Sequence, residues 1–125
     1  MSVVEWRTDE RVAYVIMNNG ENRHNPDFVE SMLQILDEIE ADRSISSVVI
    51  TSSDQKNWSQ GIDLTWIMGA IQKGENDAVK GFLYGMNNIF KRILLYSVPV
   101  IAGINGHAVG NGAILACACD FRFMR

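Results

Sequence analysis

The sequence predicts an α/β fold, and three features of its 125 residues carry that reading. Short apolar runs of strand character alternate with two long amphipathic helical stretches. The chain opens in the order strand, strand, helix, strand, which is the alternation of α/β architectures. Its last part, VPVIAGINGHAVGNGAILACACD from Val98 to Asp120, reads as a strand, a glycine-rich turn and a helical run.

Composition bounds the function classes. A chain of 125 residues that is 47% hydrophobic has the length and make-up of roughly one domain, able to bury an independent core. Its net charge of −4 and the lack of a Lys/Arg cluster argue against a nucleic-acid partner. No apolar run approaches the ~20 residues that span a bilayer, so no membrane partner is expected. The start, MSVVEWRTDER, lacks a basic segment followed by an apolar block, which makes the cytoplasm the default location. Cys117 and Cys119 sit two apart in an apolar run, where a helix points them to different sides. They read as small core residues, with no disulfide and no metal site between them.

Val3 to Thr8 and Arg11 to Asn18 are expected as two strands around the turn Asp9-Glu10. Both faces of the second strand are apolar, which predicts burial on both sides. Asn25-Pro26-Asp27 is a helix start: a capping side chain, proline at the first helical position, then an acid in the first turn. Phe28, Met32, Leu36 and Ile39 follow at helical spacing, widened by Val29, Leu33 and Ile35, over about four turns ending near Asp42. Ser46 to Thr51 supplies the next strand.

A polar loop, Ser52 to Asn57, leads into Trp58-Ser59-Gln60-Gly61-Ile62-Asp63-Leu64. Gly61 allows a sharp turn there, and Asp63 is placed to cap a short helical run through Met68. Gly69 to Asn76 reads as looser chain, and Val79 to Leu94 as a long amphipathic helix containing Gly81 and Gly85. Met68 and Met86 suit either core filling or an adaptable apolar pocket. At Gly110-Asn111-Gly112 two readings are open. One is a plain joint between strand and helix, since short glycine clusters are common. The other is a turn that aims the unpaired first N–H groups of a helix at negative charge.

Taken together, these stretches resemble the N-terminal half of the crotonase family, the enoyl-CoA hydratase/isomerase superfamily. The residues that carry the resemblance are Tyr14 to Met17 leading to Asn25, the strand Val48 to Thr51, Ser59 to Leu64, and above all Pro99 to Asp120. The resemblance implies a spiral of repeated strand–strand–helix units, of which residues 1–125 are a truncated part. The rest of the core and the C-terminal trimerisation helices are absent from them, and the longer parent is expected as a homotrimer or hexamer. The alternating run Phe121 to Met124, with no turn or cap behind it, agrees with truncation.

The resemblance also implies a chemistry, stabilisation of a thioester enolate by two backbone N–H groups, which fall on Ile62 and Asn111. Their unlike side chains are no obstacle, because a backbone donor needs only the right turn. Gly61, Gly110 and Gly112 would shape the approach, and Gln60 to Leu64, with Asp63 among them, would meet the coenzyme A part of the substrate. No separate cofactor and no metal are implied. Arg23 either faces the CoA phosphates or is a solvated surface arginine, and His24 and His107 read as structural or surface histidines.

Two departures from the hydratase pattern follow. The first hydratase glutamate falls on Ile114, which cannot transfer a proton, and the second would lie beyond Arg125. Enoyl-CoA isomerisation is therefore the favoured activity of the parent, the 125 residues alone being inactive. An enoyl-CoA hydratase, a noncatalytic CoA-thioester-binding module and an inactive fragment are the alternatives.

Overall fold

The computed structural model describes residues 3–124. A five-stranded sheet forms its centre, in the order β1-β2-β3-β5-β7. β1 (Val4–Asp9) and β2 (Val12–Met17) form an antiparallel hairpin, and every later neighbour in the sheet is parallel. The pair Asp9↔Val12 closes that hairpin, so its turn is Glu10-Arg11, one residue later than expected, with Glu10 left-handed at φ 56°.

β2 leads through α1 (Pro26–Ala41) to β3 (Ser47–Ser52), and each side of that crossover follows from local sequence. The Asn25 side chain accepts the Phe28 N–H at 3.1 Å, with Pro26 opening the helix. Phe28, Met32, Ile35, Leu36 and Ile39 are buried, each contributing about 1.5–3 kcal/mol by leaving water. α3 (Asn76–Leu94) packs against α1 and buries Phe82, Met86, Ile89 and Ile93. At Gly85 a Cβ would stand 2.6 Å from Val29 Cγ1, so glycine permits that close approach; Gly81 has open space instead.

The remaining chain repeats one unit. β3 is followed by the short strand β4 (Asn57–Ser59), a glycine turn and α2 (Leu64–Gln72). β5 (Val100–Ile104) is followed by β6 (His107–Ala108), a glycine turn and α4 (Asn111–Ala118), which returns the chain to β7 (Phe121–Met124). β4 and β6 pair in parallel, which sets the two glycine turns side by side. The strand, short strand, helix repeat is the architecture that the resemblance implies.

Several expectations change. One face of β2, carrying Ala13, Val15 and Met17, is fully buried in the core cluster that also holds Phe28, Leu36 and Ile89, but Val12, Tyr14 and Ile16 on the other lie outside that cluster and are only half-buried. α2 runs on through Gly69 to Gln72, with Ala70 buried beneath it, and stops where Gly74 turns left-handed at φ 72°. Met86 is core, whereas Met68 is exposed. Cys119 is buried and Cys117 exposed, so only one cysteine is a core residue: Cys117 lies on α4, whereas Cys119 is the extended residue that caps it.

β7 leaves Phe121, Phe123 and Met124 58%, 67% and 76% exposed. A strand edge with that much apolar surface favours association. Residues 1–125 on their own are expected to self-associate in light scattering. A monodisperse monomer with a cooperative unfolding transition would contradict this.

Candidate functional site

The first turn is held from behind by a strand-like contact. His24 and Ile62 form a parallel bridge, in which the His24 N–H donates to the Gly61 carbonyl at 2.8 Å and the His24 carbonyl accepts the Asp63 N–H at 2.9 Å. Both bonds use the neighbours of Ile62, so the peptide N–H of Ile62 itself faces away from His24. Asp63 then caps α2, its Oδ1 accepting the Trp66 N–H at 3.0 Å and its Oδ2 the Asn25 amide at 3.2 Å. Leu64, the first residue of α2, is exposed.

The second turn begins α4. Gly110, at φ 55°, precedes Asn111, which is the first helical residue. An N–H in that position has no intrahelical acceptor. The next one, of Gly112, donates to the Val109 carbonyl at 2.9 Å. Among the described residues, the N–H groups of Ile62 and Asn111 meet no hydrogen-bond acceptor.

Glycine is required where the turns touch. Gly61 has φ 89°, and a Cβ there would lie 2.8 Å from the Val109 carbonyl oxygen and 3.1 Å from Asn111 N, in the space of the second donor. A Cβ on Gly112 would overlap the Ser59 carbonyl, with Ser59 C at 2.9 Å. The glycines thus bring two open backbone donors onto adjoining turns.

Beneath the turns lies a polar floor. The buried polar residues among those described are Asn22, His24, Ser52, Asn57 and Ser59. The Asn22 amide donates to Ser52 Oγ at 2.8 Å and to the Trp58 carbonyl at 2.9 Å, and the Ser59 hydroxyl donates to the Asn22 carbonyl at 2.8 Å. His24 Nε2 lies 3.0 Å from Ser59 Oγ, and Nδ1 lies 2.9 Å from the Asn111 amide nitrogen. Burial pulls the His24 pKa from 6.5 down to about 4, so the ring is neutral near pH 7. The side chain of Asn111, which a purely backbone role leaves free, is therefore engaged.

Around the site, Gln60 receives Arg23 Nη1 on its carbonyl at 3.2 Å, and Arg23 also pairs with Glu21 at 3.2 Å. Arg23 thus tethers the first turn. Ile114 sits on α4 and is 52% exposed. His107 is exposed, its N–H bound to the Lys56 carbonyl at 2.9 Å. Among the described residues, no group of three or more His, Cys, Asp or Glu side chains is placed to hold a metal ion. No described helix is long and apolar enough to cross a membrane.

A family model described as enoyl-CoA hydratase/isomerase matches residues 7–125, nearly the whole chain. The chain belongs to the enoyl-CoA hydratase/isomerase family. It is 32% identical over 111 residues to the peroxisomal enoyl-CoA delta isomerase 2 of Arabidopsis thaliana, covering 88% of this chain and 46% of that protein. It is equally 32% identical, over 116 residues, to the short-chain-enoyl-CoA hydratase of Clostridium acetobutylicum, covering 90% of this chain and 42% of that one. The crystal structure of an enoyl-CoA hydratase from Bacillus anthracis superposes with a TM-score of 0.88 at 25% identity, over 98% of this chain and 47% of that one. The chain spans about half the length of the curated relatives it matches. Within the enoyl-CoA hydratase/isomerase family, both hydratase and isomerase relatives match it at 32% identity or more, so similarity alone does not separate the two activities.

Proposed function

We propose that the complete protein processes an acyl-CoA thioester, with the Ile62 and Asn111 N–H groups forming an oxyanion hole for its carbonyl oxygen, and that its reaction is enoyl-CoA isomerisation. One observation carries the site: two backbone donors without internal acceptors sit on adjoining glycine turns. Preorganised donors aimed at developing negative charge are typically worth about 3–4 kcal/mol each. Gly110 and Gly112 shape the second turn, and Gln60 to Leu64 offer backbone to the CoA moiety, which is part of the substrate rather than a cofactor. The assembled protein is a homotrimer or hexamer.

In the isomerisation, a base takes a proton from C2 of a 3-enoyl thioester and the charge moves onto the carbonyl oxygen held by the two N–H groups. The double bond shifts to C2–C3 as the proton returns at C4. One proton-carrying base suffices, and by the family resemblance it lies beyond Arg125. Hydration needs more, because a water must also be held and activated. Ile114 stands where the first hydratase glutamate falls and offers neither an acceptor nor a proton.

The test is to assay the complete protein with a 3-enoyl-CoA and a 2-enoyl-CoA, then repeat with Ile114→Glu. Isomerisation without hydration is expected from the unmodified protein. Efficient hydration by it would refute the isomerase reading. CoA-thioester binding without any turnover would favour a noncatalytic binding module.

A further inference from the structure

We propose that His24 is a positioning residue that clasps the two turns together, so that the Ile62 and Asn111 N–H groups converge on one carbonyl oxygen. This rests on the oxyanion-hole reading and names the group that sets the geometry of the hole.

His24 is 0% exposed and touches both turns by different means. Its backbone holds the first turn on either side of Ile62, through Gly61 and Asp63. Its ring holds the second turn through Asn111. An amide nitrogen can only donate, so Nδ1 is the acceptor and the ring proton resides on Nε2. Nε2–H then donates to Ser59 Oγ, which also accepts the Gly61 N–H at 3.2 Å and donates its own O–H to the Asn22 carbonyl. The hydroxyl's one donor and two acceptor positions are all filled, as are both ring nitrogens. Phe28 stacks on the imidazole at 4.3 Å between centroids and 25° between planes, which fixes the ring's tilt.

The bond to Asn111 matters because side chain and donor belong to one residue. Holding its amide fixes the start of α4, and with it the direction of the Asn111 N–H. The fold repeat explains how the histidine comes to be there. The segment from Asn18 to Asn25 joins β2 to α1 just as Gln60 to Asp63 joins β4 to α2 and Val109-Gly110 joins β6 to α4. The chain thus passes the site three times, and the first pass supplies the clasp for the second and third.

Two substitutions separate the halves of the clasp. His24→Asn puts an acceptor oxygen near the place of Nδ1, keeping the link to Asn111 and losing the one to Ser59. His24→Gln reaches toward Ser59 and leaves Asn111 without its acceptor. In the complete protein, kcat and KM would be measured with a 3-enoyl-CoA. The carbonyl stretch of a bound saturated acyl-CoA labelled with carbon-13 at the thioester would be read by difference infrared spectroscopy. Nitrogen-15 shifts of the His24 ring report its tautomer.

The expected result is a lowered carbonyl frequency in the unmodified protein, with His24 protonated at Nε2. His24→Gln should move that frequency back toward its solution value and cut kcat about tenfold or more, with KM changed less than about threefold, the pattern of a misplaced transition-state contact. His24→Asn should restore most of both. Equal polarisation and equal kcat in His24→Gln would overturn the clasp, as would equal losses in both variants that follow a common fall in melting temperature, or a ring protonated at Nδ1. A bound thioester whose carbonyl is unshifted in the unmodified protein, with the ring still protonated at Nε2, would instead refute the oxyanion hole and the clasp's role with it.

Discussion

Replacing Asn111 by proline is expected to lower turnover of the complete protein by about two orders of magnitude or more while the fold persists. The N–H of Asn111 has no acceptor among the described residues, so no structural hydrogen bond is lost with it. The position is also one that accepts proline, because Asn111 is the first residue of α4 and the ring's fixed φ near −65° suits a helix start. Proline does remove the amide that reaches His24, so Asn111→Ala is the control. Alanine keeps the backbone donor and leaves the buried His24 Nδ1 unpaired, which costs about 1–3 kcal/mol of stability. Turnover should fall much further in the proline variant than in the alanine one, with circular dichroism showing both folded. A folded proline variant with full turnover would sink the assignment of Asn111 as a donor.

Much of this molecule was legible because its signals are local. The cap and proline of α1, the apolar stripes of α1 and α3, and the strands around Val12 and Val48 lie within windows of a few residues to a few turns. The two glycine turns are local too, and Asp63 caps α2 as its place in the sequence suggested. What sequence reading missed is short or long-range. β4 and β6 have three and two residues, too few for any periodicity, and they exist because they pair with one another. Gly69 to Asn76 reads as looser chain, yet α2 continues through Gly69 to Gln72 with Ala70 buried. The polar floor is the clearest case. His24 meets Ser59 across 35 residues and Asn111 across 87, and no spacing pattern links three such polar positions. The available signal is a negative one: Asn18 to Asn25 is a polar run between an apolar strand and a capped helix. Such a run is ordinarily a solvated loop; here the next two passes of the chain bury its Asn22 and His24.

The buried ring should make the protein lose stability as pH falls from about 6.5 to about 4. Above 6.5, His24 is neutral whether the chain is folded or not, and its protonation favours neither state. Below 6.5 the unfolded chain binds a proton on this residue while the folded protein does not, since burial holds the folded pKa down to about 4. Proton uptake by the unfolded chain alone shifts the balance toward unfolding by about 1.4 kcal/mol per pH unit. Across the window between 6.5 and about 4 the loss amounts to about 3 kcal/mol, and it levels off below, where the folded ring also takes a proton. Asp42 and Asp54, whose carboxyls are held below 3.8 chiefly by hydrogen bonds from Ser44 and Asn57, act below that window, where protonating them removes further stability. Protonation has a local consequence as well: a ring carrying protons on both nitrogens cannot accept from the Asn111 amide, so the second turn would be released. The measurement is urea unfolding from pH 7 to pH 4 for the unmodified protein and for His24→Gln, which has no titrating group at this position. The gap between their pH profiles should change by about 3 kcal/mol over that range, in the direction that favours the variant at low pH. Parallel profiles would show that His24 is charged, or reaches water, in the folded protein.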